Sequence, residues 1–217
     1  MKKRFRQHVN PLKMNAMVPR DEPLRIPDGP AVEVELGCGD ARFLIRMAQT
    51  YPDVLFVGLD IRSEFLELGR AEVRRLQLDN VMLQESNLIV DLDRLFSVGR
   101  VRRCYINFPD PWFKTRQHNR RWLNAETLSH LLRTLQRRGE LFYQSDVWEL
   151  ALDALGLFEA EPGLANTGEE WSFLRHNPFP AQTSRELSCL DEGRPIWRML
   201  FIKLDADEEQ GEDEAYD

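Results

Sequence analysis

Short apolar segments alternate with amphipathic ones along most of the chain. Apolar and polar residues alternate strictly at 32–36, and continuous apolar runs stand at 54–59 and 104–106, which is typical of buried strands. The same criteria predict further strands at 81–84, 140–144, 158–160 and 196–204. Apolar residues recur on one face of predicted helices at 41–50, 63–78 and 148–157, and from Asn124 or Thr127 to a stop at Gly139. For residues 88–97 we expect a short helix or a loop.

This succession of strands and helices predicts an α/β fold. Strands that alternate with helices form a doubly wound, mostly parallel sheet, because each helix carries the chain back across a face of the sheet. Between the last two predicted strands we expect only an ordered loop. Those two strands should therefore pair antiparallel, which gives the sheet an antiparallel edge strand.

A rigid segment follows the fourth predicted strand, where residues 107–114 have the sequence Asn-Phe-Pro-Asp-Pro-Trp-Phe-Lys. Pro109 fixes its own φ, and Pro111 disfavours the helical region for Asp110, which predicts an extended loop. Ligands of open α/β sheets bind beyond the carboxyl ends of the strands, so Asp110 is a candidate site residue. The cationic residues 114–121 follow. Chemistry on a polyanion is one interpretation, and a proline-rich turn with a solvated charge run is the other.

A glycine loop between the first strand and the first helix is typical of nucleoside-cofactor sites. Gly37 and Gly39 would let the backbone approach a ligand, and Asp60, at the end of the second strand, could accept hydrogen bonds from ribose hydroxyls. Arg42 stands where a dinucleotide-binding loop needs a small residue, which disfavours a nicotinamide or flavin. Glu35 would repel a pyrophosphate but suits a cationic cofactor such as S-adenosylmethionine. The alternative is a glycine turn that serves only chain packing.

Charge is distributed unevenly along the 217 residues. Residues 1–20 hold six Lys or Arg and no acid, and the prolines of the segment 1–30 predict a basic, partly ordered arm. The segment 205–217 holds eight acids and no Lys or Arg, so the net charge of −7 becomes +1 for residues 1–204. We expect one domain at 31–204 and a disordered acidic tail. A near-neutral body with a cationic segment is compatible with RNA.

Composition bears on the cellular location of the protein and on whether it binds a metal. The basic N-terminus has no apolar segment behind it, which argues against a secretory signal, and no apolar run approaches a membrane span. The three cysteines are far apart and odd in number, as in a reduced, cytoplasmic protein. The four histidines show no metal-ligand spacing, so we expect no metal.

Three motifs together resemble the bacterial tRNA (guanine-N7)-methyltransferase family. They are Glu-Leu-Gly-Cys-Gly at 35–39, Phe-Pro-Asp-Pro-Trp-x-Lys-x-Arg at 108–116, and Thr183-x-x-Glu186. Residues 6–12 also look like that family's N-terminal segment. The resemblance covers nearly the whole chain except the acidic tail. It implies a class I methyltransferase (Rossmann-like) fold, with S-adenosylmethionine as methyl donor, S-adenosylhomocysteine as product and N7 of a guanine in the tRNA variable loop as acceptor.

The resemblance also assigns roles to residues at matching positions. It places Asp110 at the catalytic centre. With the glycine loop, it implies a cofactor set of Glu35, Gly37, Gly39, Asp60, Asn87 and Asp110. Substrate contacts are expected from Lys114, Asp146, Thr183, Ser184, Arg185 and Glu186, and RNA contacts from Arg116, Gln117, His118, Asn119, Arg120 and Arg121.

The chain departs from the family pattern at three places. Asn87 stands where the family usually has Asp, and it lacks the charge while keeping the hydrogen-bonding groups. Asp40 and Ala41 replace a more glycine-rich loop, and residues 117–119 depart from the usual His-Asn-Lys order.

Physical chemistry leaves the roles of two acids open. Guanine N7 carries a lone pair and no proton, so alignment and electrostatics suffice without a general base. Asp110 could stabilise the developing purine cation, or Asp110 or Asp146 could accept from the guanine N1–H and amine. Because N7 faces the deep groove of an A-form helix, the base must be loosened from its stacking. Trp112 could stack on that base or pack in the core.

Two other functions fit parts of the pattern. An adenine amino-methyltransferase also has its catalytic motif after the fourth strand, but there the acid or amide directly precedes two prolines, whereas Asp110 lies between them. A non-catalytic RNA-binding module on a methyltransferase fold is the other alternative. We expect tRNA as the partner, no membrane, and a monomer or homodimer.

Overall fold

The structure is a computed structural model that describes residues 10–12, 22–111 and 122–205. Its strands are β1 (Ala31–Leu36), β2 (Val54–Asp60), β3 (Val81–Glu85), β4 (Val101–Asn107), β5 (Leu135–Ser145), β6 (Leu164–Asn166) and β7 (Trp197–Lys203). Its helices are α1 (Arg42–Thr50), α2 (Ser63–Leu76), α3 (Leu88–Asp91), α4 (Ala125–Thr134), α5 (Trp148–Glu159) and α6 (Ser184–Asp191).

The seven strands form one sheet in the order β3-β2-β1-β4-β5-β7-β6. The first five strands along the chain pair in parallel, while β7 runs antiparallel to both β5 and β6. The predicted mostly parallel, doubly wound sheet is confirmed, and so is the antiparallel pairing of the last two strands at one edge. The strand order reverses between β1 and β4, since the chain moves outward to β2 and β3 on one side and to β5 on the other, so a crevice is expected at the carboxyl ends of β1 and β4.

Hydrophobic residues cover both faces of the sheet, as the continuous apolar strands require. One core packs α3, α4 and α5 against the sheet, and the other packs α1 and α2 against it. Gly58 in β2 lies close to the side chains around it. A Cβ added there would stand 2.7 Å from a Leu83 methyl in β3 and 2.8 Å from Sγ of Cys38 in the loop after β1. This tight contact fixes the loop after β1 against the sheet.

Two predicted elements differ from the structure. The fourth helix ends at Thr134 rather than near Gly139, because residues 135–145 pair with β4 and continue the sheet. Residues 158–160 are not a strand. Phe158 is the last buried residue of the apolar face of α5, and its ring packs 5.4 Å from that of Phe201.

The segment between the last two strands is not only a loop. Residues 184–191 form α6, whose first turn is capped by Thr183: its Oγ1 accepts a hydrogen bond of 3.0 Å from the backbone N–H of Glu186. The sequence Thr-x-x-Glu is a helix-capping pattern as well as a family motif. The cap places α6 beside the carboxyl end of β5.

The structure describes only part of the predicted N-terminal arm and one residue of the predicted acidic tail. Leu24 and Ile26, within the predicted arm, pack against the core, and the Leu24 N–H donates to Leu95 O at 3.1 Å. Residues 1–9, 13–21 and 206–217 lie outside the described residues. Across the described ranges, no helix has the length and apolar character needed to cross a membrane.

Candidate active site

A cleft opens at the carboxyl ends of β1, β2 and β4. Its walls include residues from the glycine loop, the ends of β2 and β3, and the segment after β4. Among them are Gly37, Asp60, Arg62, Asn87, Asn107, Asp110 and Trp122, and Pro11 from the N-terminal segment closes one side. Of the sequence-predicted cofactor residues, Gly37, Asp60, Asn87 and Asp110 line this cleft, whereas Glu35 and Gly39 do not.

The glycine loop turns tightly against β2. Gly37 and Gly39 have φ of 84° and 56°, which lie in the left-handed region that favours glycine. The N–H groups of Gly37 and Cys38 both donate to Leu59 O, at 2.8 and 2.9 Å. Ala41, in place of the more glycine-rich family loop, has φ of 58°. The loop keeps its sharp turn even where a side chain is present.

Asp60 ends β2 with a carboxylate that accepts four hydrogen bonds. Its Oδ2 accepts from the Gly39 N–H at 2.8 Å and from Arg62 Nη2 at 2.8 Å, and its Oδ1 accepts from Arg62 N at 2.9 Å and Arg62 Nε at 2.8 Å. Four bonds occupy the acceptor capacity of a carboxylate. A ribose hydroxyl can therefore bond Asp60 only if Arg62 yields one of its contacts.

Glu35 lies beneath the loop and is 3 % exposed. Its Oε1 accepts a hydrogen bond of 2.8 Å from Asn107 Nδ2, while its buried Oε2 has no hydrogen-bond partner among the described residues. Burial raises the pKa of Glu35 to about 8; the Asn107 hydrogen bond opposes this rise, and the nearby Asp60 and Asp40 carboxylates add to it. An acid with one unbonded buried oxygen suits a ligand cation.

Asp110 stands three residues beyond the end of β4. The turn before it is unusual, because Phe108 has φ of 50°, and the Phe108 N–H donates to Gln144 O at 2.8 Å. Asp110 lines both the cleft and an adjoining, mainly apolar pocket that contains Trp122 and Tyr143. It therefore lies between two spaces, as the catalytic group of a two-substrate reaction would.

Asn87 lines the cleft, but its side chain also has structural contacts. It caps α3 by accepting from the Ile89 N–H at 3.2 Å, and its Nδ2 donates to Pro11 O at 2.8 Å. It thereby ties the short described segment 10–12 to the site.

The predicted substrate residues fall into two groups. Asp146, whose side chain is 9 % exposed, accepts at Oδ2 from Arg185 Nη2 and from Arg194 Nη1, both at 2.7 Å, and Ser184 next to Arg185 is exposed. Thr183 and Glu186 are buried, the first as the helix cap described above. Glu186 is fully buried, and its Oε1 accepts from Arg198 Nη2 at 2.8 Å.

The residues expected to contact RNA, together with Lys114, fall in a segment that the structure does not describe. Lys114, Arg116, Gln117, His118, Asn119, Arg120 and Arg121 lie in the segment 112–121, outside the described residues, as does Trp112. Their roles remain predictions from sequence.

The structure adds Arg62, Asn107, Gln144 and Pro11 to the site or its support. Asn107 and Gln144 each end an apolar run, Cys-Tyr-Ile and Leu-Phe-Tyr, which is a pattern that could have drawn attention to them. Arg62 and Pro11 have no comparable pattern. Among the described residues, no group of three or more His, Cys, Asp or Glu side chains is arranged to hold a metal ion.

Comparisons with known proteins agree with this geometry. A family model described as a putative methyltransferase matches residues 30–199. A tRNA (guanine-N(7)-)-methyltransferase of Synechococcus sp. (strain JA-3-3Ab) is 39 % identical over 201 residues, 90 % of this chain and 84 % of that protein. The protein of the same description in Synechococcus elongatus is 35 % identical over 211 residues, 94 % of this chain and 98 % of that protein.

Solved structures share the fold at lower sequence identity. The aminoglycoside resistance methyltransferase NpmB1 has a TM-score of 0.54 at 19 % identity, covering 80 % of this chain and 87 % of its own. The precorrin-6y C5,15-methyltransferase of Geobacter metallireducens has a TM-score of 0.54 at 16 % identity, covering 84 % of both chains. The sheet is thus that of the class I methyltransferases.

Proposed function

The chain belongs to the bacterial tRNA (guanine-N(7)-)-methyltransferase family, and we propose that it transfers the methyl group of S-adenosylmethionine to N7 of a guanine in the tRNA variable loop, with Asp110 at the catalytic centre. The observation that carries this proposal is the single cleft lined by Gly37, Asp60 and Asp110. The proposal includes tRNA as the partner, a cytoplasmic location, a monomeric or homodimeric state and no metal.

The residues of the cleft fit such a cofactor. Glu35 offers a buried oxygen without a hydrogen-bond partner, which suits the ammonium of the methionine portion. Asp60 offers an acceptor for the ribose hydroxyls once Arg62 yields a contact, and we assign Asn87, which also lines the cleft, to the adenine. When bound, the cofactor supplies an electrophilic methyl group on a sulfonium.

Mechanism follows from the chemistry of N7. Because N7 bears no proton, the protein has no proton to remove before transfer, and its task is to align the base and stabilise charge. Asp110 is held by a turned Phe108 and two flanking prolines, so its carboxylate is fixed where it faces both the cleft and the adjoining pocket. A fixed anion there favours the positive charge that develops on the purine. The alternative role, accepting from the guanine N1–H, applies to Asp110 or Asp146.

Cationic residues support a polyanionic substrate. In the sequence, the basic segment 114–121 comes shortly after Asp110, and cations that contact phosphates dominate non-specific affinity for nucleic acid. Arg185 and Arg194 lie at the carboxyl end of β5 next to Asp146. We assign RNA binding to residues 116–121 and substrate contacts to Lys114, Asp146 and residues 183–186.

The decisive experiment is transfer of labelled methyl groups from S-adenosylmethionine to unmodified tRNA, followed by nucleoside mass spectrometry. The expected product is 7-methylguanosine in the variable-loop fragment. Methylated adenine would show an amino-methylating enzyme instead. Binding of tRNA without any transfer would show a non-catalytic RNA-binding module.

Asp60→Ala is expected to weaken binding of S-adenosylhomocysteine by about 5- to 150-fold, because buried ribose hydroxyls left without an acceptor cost about 1–3 kcal/mol. Isothermal titration calorimetry measures the change. Asp53→Ala is the matched control, since Asp53 is an exposed acid near the opposite end of the same strand. An unchanged affinity in Asp60→Ala would remove this residue from the cofactor site.

A further inference from the structure

A row of polar side chains crosses four neighbouring strands at the carboxyl end of the sheet. Glu35, Asn107, Gln144 and Arg198 come from β1, β4, β5 and β7, and each is at least nine-tenths buried. Asn107 and Gln144 are register partners in the parallel pair β4–β5, and Gln144 faces Arg198 in the antiparallel pair β5–β7. Side chains at paired positions share a face, so the strand register builds this row.

The hydrogen bonds in the row have a definite direction. Gln144 Nε2 donates to Asn107 Oδ1 at 2.8 Å, and Asn107 Nδ2 donates to Glu35 Oε1 at 2.8 Å. The same Gln144 Nε2 lies 3.3 Å from Glu186 Oε2, which it also serves as a donor. A carboxylate only accepts hydrogen bonds. The contact with Glu186 therefore orients the Gln144 amide so that its nitrogen, rather than its oxygen, points toward Glu186 and Asn107.

Glu186 itself is held from other directions. Its Oε1 accepts from Arg198 Nη2 at 2.8 Å, and Asn177 Nδ2 donates to its two oxygens at 3.2 and 3.0 Å. Glu186, the acid of the Thr-x-x-Glu motif, therefore fixes Gln144 at one end of a hydrogen-bonded chain, and Glu35, beneath the glycine loop, is at the other end.

We propose that Gln144 is a positioning residue for cofactor binding: it holds the Asn107 amide so that its nitrogen faces Glu35, and thereby favours the ionised carboxylate that a cofactor ammonium needs. The proposal rests on the proposed function, because it takes the ligand of Glu35 to be the ammonium of an S-adenosyl amino acid. It also gives Glu186 an indirect role in cofactor binding, through Gln144.

The orientation of the Asn107 amide matters because its two ends stabilise opposite states of Glu35. The nitrogen donates to the carboxylate and favours ionisation, whereas the oxygen would accept from the protonated carboxyl and favour the neutral acid. Without Gln144, the nitrogen and oxygen of Asn107 could exchange places. The pKa of Glu35, already raised to about 8 chiefly by burial, would then rise further.

Other charged groups around Glu35 do not depend on Gln144. Asp60 comes from the end of β2 and Asp40 from the loop after β1, and both act on Glu35 through their charges. Arg62 is paired with Asp60. The Cys38 thiol, whose pKa burial raises well above its usual value, also faces this group. A change at Gln144 leaves these contacts in place, so its effect on Glu35 can be isolated.

The test is binding of S-adenosylhomocysteine to Gln144→Leu and to the wild type at about pH 6 and about pH 9, measured by calorimetry. One unit of further pKa rise in Glu35 corresponds to about tenfold weaker binding at about pH 6 and less than about twofold at about pH 9. The ligand's own amino group, with a pKa near 8, titrates equally in both comparisons and cancels. A merely structural role for Gln144 gives the same loss at both pH values and overturns the proposal.

Two further variants test whether Gln144 acts through Asn107 and whether the loss is specific to this position. Asn107→Leu removes the same hydrogen bond at its next residue, so it should weaken binding at least as much, and adding Gln144→Leu to it should cause almost no additional loss. Additive losses would show that the two residues act separately and would contradict the proposal. Gln84→Leu, on β3 and outside the cleft lining, is the matched control and should bind like the wild type.

The outcomes separate this proposal from the proposed function. Wild-type protein that binds S-adenosylhomocysteine and methylates tRNA, together with a pH-independent loss in Gln144→Leu, overturns only the role of Gln144. Wild-type protein that fails to bind at either pH overturns the cofactor assignment, and the role of Gln144 with it.

Discussion

Asp110→Asn is expected to lower kcat for methyl transfer by about 10²- to 10³-fold, the typical cost of losing one preorganised electrostatic contact. Asparagine keeps the shape of the side chain, and Pro109 and Pro111 still restrict the backbone on both sides. The substitution therefore removes the charge and leaves the loop nearly unchanged. Affinity for tRNA should change little, because the loss concerns charge that develops only as the methyl group moves.

Single-turnover methylation of a tRNA transcript at saturating cofactor measures this effect apart from product release. Asp79→Asn is the matched control, because Asp79 is exposed in the turn between α2 and β3 and lies outside the cleft. A near-wild-type rate in Asp110→Asn would mean that the carboxylate only orders the turn. Asp146 would then be the next candidate for the catalytic role.

The sheet was predictable because its strands carry their own pattern. Continuous apolar runs such as 54–59 indicate strands covered on both faces, and the structure buries every residue of β2. Boundaries were harder where tertiary pairing opposes local preference. Residues 135–139 are mostly polar and followed a helical pattern, yet Leu135 pairs with Val101 and begins β5. That pairing cannot be inferred from either segment alone.

The positions of the acids were visible in the sequence, but their supports were not. Glu35 precedes the glycine loop, Asp60 ends the second predicted strand, and Asp110 lies between two prolines. The contacts of Asn107 with Glu35 and of Gln144 with Asn107 join residues 72 and 37 positions apart, and they depend on strand order and register. Whether Glu186 faces solvent or a buried arginine is likewise decided only by packing.

Glu35→Gln is expected to weaken binding of S-adenosylhomocysteine by about 10²-fold at about pH 8, since charge-assisted hydrogen bonds to a buried partner typically contribute about 2–3 kcal/mol. The amide retains the size of the acid and can still accept from Asn107 Nδ2. It offers no negative charge to an ammonium. The variant separates the electrostatic role of Glu35 from its part in packing.

The pH dependence gives the sharper test. Because the pKa of Glu35 is raised to about 8, the wild-type carboxyl is mostly protonated at about pH 7 and must lose close to one proton when a cation binds beside it. Calorimetry in buffers of different ionisation enthalpy should detect this release in the wild type and not in Glu35→Gln. The deficit of the variant should shrink toward about pH 6, where the wild-type acid is neutral in the free protein.

Stability provides the control for this variant. The folded protein binds the Glu35 proton more tightly than the unfolded chain, so the wild type loses folding free energy as pH rises from about 4.5 to about 8. Glu35→Gln removes that loss, and we expect its melting temperature at about pH 8 to equal or exceed that of the wild type. A stable variant with weak, proton-independent binding would establish Glu35 as the ammonium-binding group. Equal proton release in the variant would assign the titration to another residue and contradict this role of Glu35.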